Sequence, residues 1–192
     1  IYWGLDYAPV NTKNYNKFKI RDKNKIFIAL GGAKDTKSTE KVLKAVSLIK
    51  QIKQIDILDS PVNPIDKIEI EIRNDQKINY YKNIPSVDSH LIESGIVLAS
   101  YGHLGYEALA FGAPLCLIGH KKFQTEYANY LSKELLCISA GFVENISVNE
   151  IKDFIEQTLK NSCILSKNAK NVIDGLGLTR IANIINEKLN YH

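Results

Sequence analysis

Residues 96–119, IVLASYGHLGYEALAFGAPLCLIG, leave this chain little choice of architecture. Two short, uninterrupted apolar runs, IVLA and LCLI, flank a stretch that suits a helix. Such runs fit strands covered on both faces, as in a parallel sheet. Between them the chain turns at Tyr101-Gly102, runs as a helix over 103–111 and breaks at Gly112-Ala113-Pro114. The helix's first N–H groups then point into the crevice at the end of the first strand, where a phosphate is the natural occupant. Glu107, one turn into the helix, is an acceptor close to that crevice.

The same alternation extends in both directions. Residues 25–30 (KIFIAL) read as a strand, followed at once by the turn Gly31-Gly32-Ala33-Lys34-Asp35-Thr36. A helix over 38–53 follows, with Val42, Ala45, Val46, Ile49 and Ile52 on one stripe and lysines opposite. Residues 55–58 form a short strand ending at Asp59-Ser60-Pro61. Residues 66–73 (DKIEIEIR) alternate like a strand, but their place between two strands argues for a helix, which is the expectation we adopt. A strand over 77–81 and a short helix over 85–94, with Asp88 near its start, lead into the opening stretch. Beyond it come a helix over 121–133 with Phe123, Tyr127, Tyr130 and Leu131 inward, a strand over 135–139 and a loop over 140–146. Ser147 caps a helix running to Lys160, with Glu150 at capping-box spacing. Helices over 165–173 and 178–189 close the chain, separated by Asp174-Gly175-Leu176-Gly177. This pattern predicts an α/β fold: a Rossmann-like parallel sheet with helices on both faces and a helical C-terminal end. Ligands of such folds bind at the carboxyl ends of the strands, where the strand order reverses.

Composition narrows the function classes. A chain of 192 residues with 45% hydrophobic content can bury one sizeable core. The net charge of +4 is mild, and lysines concentrate only in 13–25, so no nucleic-acid stripe is expected. Cys116, Cys137 and Cys163 are odd in number and far apart, which suits reduced core thiols of a cytoplasmic protein better than disulfides or zinc ligands. No apolar run approaches the ~18 residues of a transmembrane segment. Residues 1–24 have no clear period and carry Trp3 and several tyrosines, so they read as a connector into a domain spanning 25–192. The chain begins at Ile1 and contains no methionine; we expect a longer protein with a further domain on the N-terminal side.

The turns carry the candidate chemistry. Gly31-Gly32 fits neither G-x-G-x-x-G nor G-x-x-x-x-G-K-[ST]; it is either a tight strand-to-helix turn or backbone N–H groups close to a ligand. Ser100, Tyr101, Gly102 and His103 with Glu107 form either a ligand site or a plain turn in which His103 caps the helix and Glu107 is solvated. Tyr106 reads as packing. His90 and His120 have no partners at metal-ligand spacing and are expected at the surface, and neither metal nor cofactor is expected. Asp35, Asp59 and Asp88 lie near strand ends as bases or as turn caps. Ser100 is not in G-x-S-x-G.

The run S-Y-G-H-L-G-Y-E-A-L-A-F-G-A-P (100–114) resembles the donor-site signature in the C-terminal domain of GT-B glycosyltransferases of the peptidoglycan N-acetylglucosaminyltransferase type. It is more similar still to the UDP-sugar hydrolases of pseudaminic acid synthesis and their spore-coat polysaccharide relatives. Gly4-Leu5-Asp6-Tyr7-Ala8-Pro9 resembles their interdomain G-x-x-Y segment, 26–39 their strand-GG-x-D-x-x-x-x-T turn, and 174–181 their D-G-x-G-x-x-R-I ending. The resemblance implies the C-terminal, nucleotide-sugar-binding half of a two-domain enzyme, a glycosyltransferase or UDP-sugar hydrolase of surface polysaccharide synthesis. It implies that Glu107 accepts from ribose hydroxyls, that Gly32, Gly102 and His103 hold the diphosphate, that Gln124 lies beside the sugar or diphosphate, and that backbone near 82–85 meets the uracil. The absent half would supply the acceptor site and catalytic base, leaving the isolated chain inactive. Departures bear on this: His103-Leu104 replace a Ser/Thr pair, Tyr101 a glycine, Phe123 the Asn before Gln124, and Lys34 the Asp of the GG-x-D turn. Gly31, Lys34, Ser100 and Tyr101 complete the expected nucleotide-binding set, with Lys34 and His103 able to bring positive charge to a diphosphate. A non-catalytic binding or scaffold domain is the alternative those departures support.

Overall fold

A computed structural model of the chain describes residues 4–10, 20–31, 36–59, 68, 75–170 and 172–189. Six strands, β1 (Asp22–Ala29), β2 (Gln54–Leu58), β3 (Ile78–Tyr81), β4 (Ser94–Ser100), β5 (Leu115–Gly119) and β6 (Ile138–Phe142), form one sheet in the order β3-β2-β1-β4-β5-β6. Every pairing is parallel. The helices are α1 (Thr36–Ser47), α2 (Asp88–Glu93), α3 (His103–Ala110), α4 (Lys122–Lys133), α5 (Val148–Lys160), α6 (Ser162–Ala169) and α7 (Gly177–Leu189), with a 3-10 turn at Leu5–Tyr7.

Side chains alternate across a strand, so each central strand feeds two cores. Ile26, Ile28, Ile96 and Leu98 pack under α1 and α5 with Val42, Val46, Ile151 and Ile155. Phe27, Ala29, Val97 and Ala99 face the other way, beneath Leu91 of α2, Leu109 of α3 and Leu131 of α4. This double burial explains why the IVLA and LCLI runs are apolar throughout rather than alternating. The capping box is formed: Ser147 Oγ accepts from Glu150 N at 3.2 Å and the Glu150 carboxylate from Ser147 N at 2.7 Å.

Several expectations are corrected. The first helix ends at Ser47, not 53; Ile49 and Ile52 stay buried within a turn that delivers the chain to β2. The last strand begins three residues late and takes up the front of the expected loop, because Leu135 sits at φ 53° and turns the chain after α4. On α4 the seam facing the sheet is Ala128 and Leu131, while Phe123, Tyr127 and Tyr130 are about half exposed. Cys116 and Cys137 are buried, but Cys163 is exposed. Of residues 66–73 only Ile68 is described, and it is buried; whether that segment is a helix falls outside the described residues.

His90 is not at the surface. It is 7% exposed, stacks on Phe27, meets the edge of Tyr81 and donates from Nδ1 to Asp56 Oδ2 at 3.0 Å. Asp56, fully buried in β2, also receives Lys25 Nζ at 2.8 Å, Gln54 and Asn79. Burial alone would raise its pKa, but these bonds, led by His90, outweigh that and hold the carboxylate well below its ordinary range. Arg21 closes the same end of the sheet, donating to the carbonyls of Leu91, Ser94 and Phe111.

The segment around the 3-10 turn lies against the start of α7. Arg180 donates to Asp6 O at 2.9 Å and forms a two-pronged pair with Asp174. A Cβ on Gly177 would lie 2.2 Å from Ala8 O, so only glycine permits this approach.

Candidate functional site

The strand order reverses between β1 and β4, which places a crevice at their carboxyl ends. Ser100, the last residue of β4, ties the two ends together by donating from Oγ to Leu30 O at 2.8 Å. Its proton is thus used within the protein, and the side chain acts as a brace. Gly31, just past β1, adopts φ +63°, the left-handed region glycine enters without strain. Gly32 and Lys34 lie outside the described residues, as does Asp35.

Gly102 is the N-cap of α3. Its φ of 169° is extended backbone open to any residue, and a Cβ there would meet no protein atom within 4 Å. Neither strain nor the chain's own packing therefore calls for glycine at this position; it leaves the first turn of α3 uncovered. The first N–H groups of a helix have no intrahelical acceptor, and Gly102 offers no side-chain cap. The helix dipole adds partial positive charge at the same place.

Two sides of α3 differ in character. On one, Glu107 Oε1 lies 3.5 Å from His103 Nε2, with the imidazole about half exposed and the carboxylate mostly covered. Burial pushes the Glu107 pKa up, His103 partly counters it, and Asp88 at the start of α2 pushes it up again. On the other side, the Tyr106 hydroxyl meets that of Tyr101 at 2.5 Å, and the Tyr101 ring stacks on Tyr127 of α4 with centroids 5.2 Å apart and planes 8° from parallel. Burial and the Tyr106 hydrogen bond push the Tyr101 phenol upward, so it stays neutral.

Gln124 binds this second side to the sheet. Its Nε2 donates to Tyr101 O at 3.0 Å and its Oε1 accepts from His120 N at 2.9 Å, linking the turns after β4 and β5. Gln124 therefore positions the glycine turn through its backbone. The structure thus brings Gly31, Ser100, Tyr101, Gly102, His103, Glu107 and Gln124 to the carboxyl edge of the sheet. It adds Asp88, Tyr106 and Tyr127. Asp88 was legible only as a residue near a strand end, and the tyrosines looked like packing because their ring contacts depend on α3 and α4 being side by side. Asp59 pairs with Lys82 at 3.7 Å beyond β2. No three His, Cys, Asp or Glu side chains converge as a metal site among the described residues. No described helix is long and apolar enough to cross a membrane. A cavity of about 590 Å³ lies at the amino end of the sheet, between Lys23, Leu48, Lys152 and Leu159, far from these groups; Lys152 there is engaged by Glu156.

Comparison with solved structures defines the fold class: a Rossmann-like parallel sheet of the kind that forms one half of GT-B glycosyltransferases. The chain is similar to Os79 from O. sativa in complex with UDP (TM-score 0.69, 14% identity, 93% of this chain and 43% of that one). It is similar also to the spinosyn rhamnosyltransferase SpnG complexed with thymidine diphosphate (0.64, 13%, 85% and 46%) and to the calicheamicin glycosyltransferase CalG4 (0.66, 14%, 91% and 44%). The chain spans about half the length of these structures. No protein-family model matches the sequence, and no curated protein matches it.

Proposed function

We propose that this chain is the donor-binding half of a two-domain GT-B enzyme acting on a nucleotide-activated sugar, a UDP-sugar in the first instance. The observation that carries the proposal is the uncovered N-terminus of α3 at the strand-order reversal, with Glu107 one turn inside it. The diphosphate sits against the backbone N–H groups of α3, and Glu107 accepts from the ribose hydroxyls. The base lies on the α2 side, near the backbone of 82–85. His103, beside the same turn, meets the diphosphate, and Gly31 faces it from the end of β1. Reaction at the anomeric carbon leaves negative charge on the nucleoside diphosphate, which the helix dipole and its N–H groups stabilise without reorganising.

The acceptor half and the catalytic base belong to a preceding domain of the same protein. Two features support this: the coverage of about half of each matching structure, and the exposure of Leu178, Ile185 and Leu189 on α7, each more than half exposed. With water as acceptor the enzyme is a hydrolase, with a saccharide a transferase, and surface polysaccharide synthesis in the cytoplasm is the setting the sequence resemblance favours. The second reading, a sugar-nucleotide-binding scaffold without turnover, is favoured by His103-Leu104 standing where the resemblance expects a hydroxyl pair. Assay of the full-length protein with UDP-sugars separates the two: turnover supports an enzyme, and binding without turnover supports the scaffold. Titration of the chain itself with UDP tests the site.

A further inference from the structure

Between β3 and α2 the chain passes through residues 82–87 at the carboxyl edge of the sheet. We infer that the buried His90 is a positioning residue for the nucleoside end of the ligand, because it holds both ends of that segment in place. The inference rests on the nucleotide-sugar reading of the α3 turn, in which the base lies beside the backbone of 82–85. One end of the segment is Tyr81, the last residue of β3, whose ring meets that of His90 edge-on with centroids 4.4 Å apart. The other end is α2 itself, which carries His90 and is fastened to β2 by the bond from Nδ1 to Asp56 Oδ2 at 3.0 Å. The imidazole also lies flat on Phe27 of β1, with centroids 4.8 Å apart and planes 14° from parallel. One side chain thus touches three strands, and a displacement of 82–87 disturbs at least one of these contacts.

The segment has little else to set its position. A helix of six residues is too short to persist alone, and Val87 at its N-cap supplies no side-chain cap. Leu91 and Arg21 anchor the far end of α2, which leaves its first turn to His90. Asn83 adopts φ 52°, a left-handed conformation that a non-glycine residue keeps only where its surroundings impose it. The make-up of the cluster points the same way. Asp56 is fully buried and gathers Lys25, Gln54 and Asn79 as well as His90. Apolar side chains of similar volume would serve stability as well as a buried ion pair does; hydrogen bonds add a fixed direction between the elements they join. The direction concerns the ligand because Asp88, two residues before His90, is close enough to Glu107 to raise its pKa. α2 is therefore the wall that faces the ribose acceptor, and a ribose on Glu107 directs its base along that wall toward 82–85. His90 is 7% exposed, so it acts through Tyr81 and α2 rather than by touching the ligand.

The test is calorimetric titration of the chain with UDP and, separately, with inorganic pyrophosphate, which lacks the nucleoside. His90→Phe fills the same space and can stack on Phe27 but donates nothing to Asp56, which keeps its other three partners. UDP affinity should fall about fivefold or more, the effect of one misaligned hydrogen bond, while pyrophosphate affinity stays within about twofold of the parent's. His90→Asn, which restores an N–H donor toward Asp56, should recover most of the UDP affinity. If His90→Phe does not fold, Tyr81→Leu, which loosens the segment from the β3 end, should show the same split between the two ligands. UDP affinity unchanged in these variants, or both ligands weakened in equal measure, would overturn the positioning role and leave the nucleotide site standing. Failure of the parent chain to bind UDP would overturn the nucleotide-sugar reading, and the role of His90 with it.

Discussion

Glu107 is held beside the α3 turn at some cost to the fold. Burial raises its pKa, and Asp88 adds to the effect. A carboxyl whose folded-state pKa lies above its unfolded value works against folding once ionised, that is, above the unfolded value. Glu107→Gln should therefore leave the melting temperature unchanged or raise it, while weakening UDP binding about tenfold through loss of a charge-assisted hydrogen bond. UDP affinity of the unsubstituted chain should fall on acidification from a pH above the ordinary carboxylate range, as Glu107 takes up a proton, and Glu107→Gln should flatten that limb. Calorimetric titrations across pH 4–8 read both effects. Asp56 behaves in the opposite way. Its folded pKa is depressed, so its contribution is present above the unfolded value of about 3.9 and lost as pH falls below it. Asp56→Asn leaves Lys25 buried without its counter-charge. It should cost about 3–5 kcal/mol at neutral pH, with the variant and the parent converging as unfolding is followed below about pH 4. Neither role was visible from the residues alone. Asp56 looked like one polar letter in a strand, and apart from Gln54 on the same strand its partners come from β1, β3 and α2, brought together only by the sheet order.

At the scale of elements, the strands and their alternation with helices were legible because a doubly covered strand must be apolar on both faces. The boundaries were less so. The helix after β1 was read too long because Ile49 and Ile52 continue its apolar stripe, although they are buried from a turn rather than a helix. On α4 the sequence offers two stripes, Phe123-Tyr127-Tyr130 and Gln124-Ala128-Leu131. Phe123, Tyr127 and Tyr130 were expected inward together with Leu131, but of these only Leu131 faces the sheet, beside Ala128, where the close contact of Gly119 with Thr125 brings the helix near. The glycine at the head of α7 has an equally local explanation. Gly177→Ala places a methyl group against the Ala8 carbonyl and should release 4–10 from α7. Hydrogen exchange should quicken in those segments alone, with β1 and β4 unchanged; uniform protection in the variant would contradict this packing.

For the molecule as a whole, sheet order decides where a ligand can bind, and the site residues follow from it. The glycine turn after the fourth strand was legible as a strand-to-helix turn at the carboxyl edge because strand, glycine and helix recur in that order. What the turn is built against was not: Ser100 and Gln124 act as internal braces, a role that follows from the adjacency of β1, β4 and β5. On the proposed reading, in which a second domain supplies the other wall of the cleft, this chain should bind a donor without processing it. Incubation with UDP-N-acetylglucosamine should release no UDP above background, and measurable hydrolysis would place a catalytic base within these residues. The most direct test of the account is isothermal titration of this chain with UDP beside Glu107→Ala. Saturable binding that the substitution weakens about tenfold or more is the predicted result; no binding, or binding indifferent to Glu107, would contradict the nucleotide site at the head of α3.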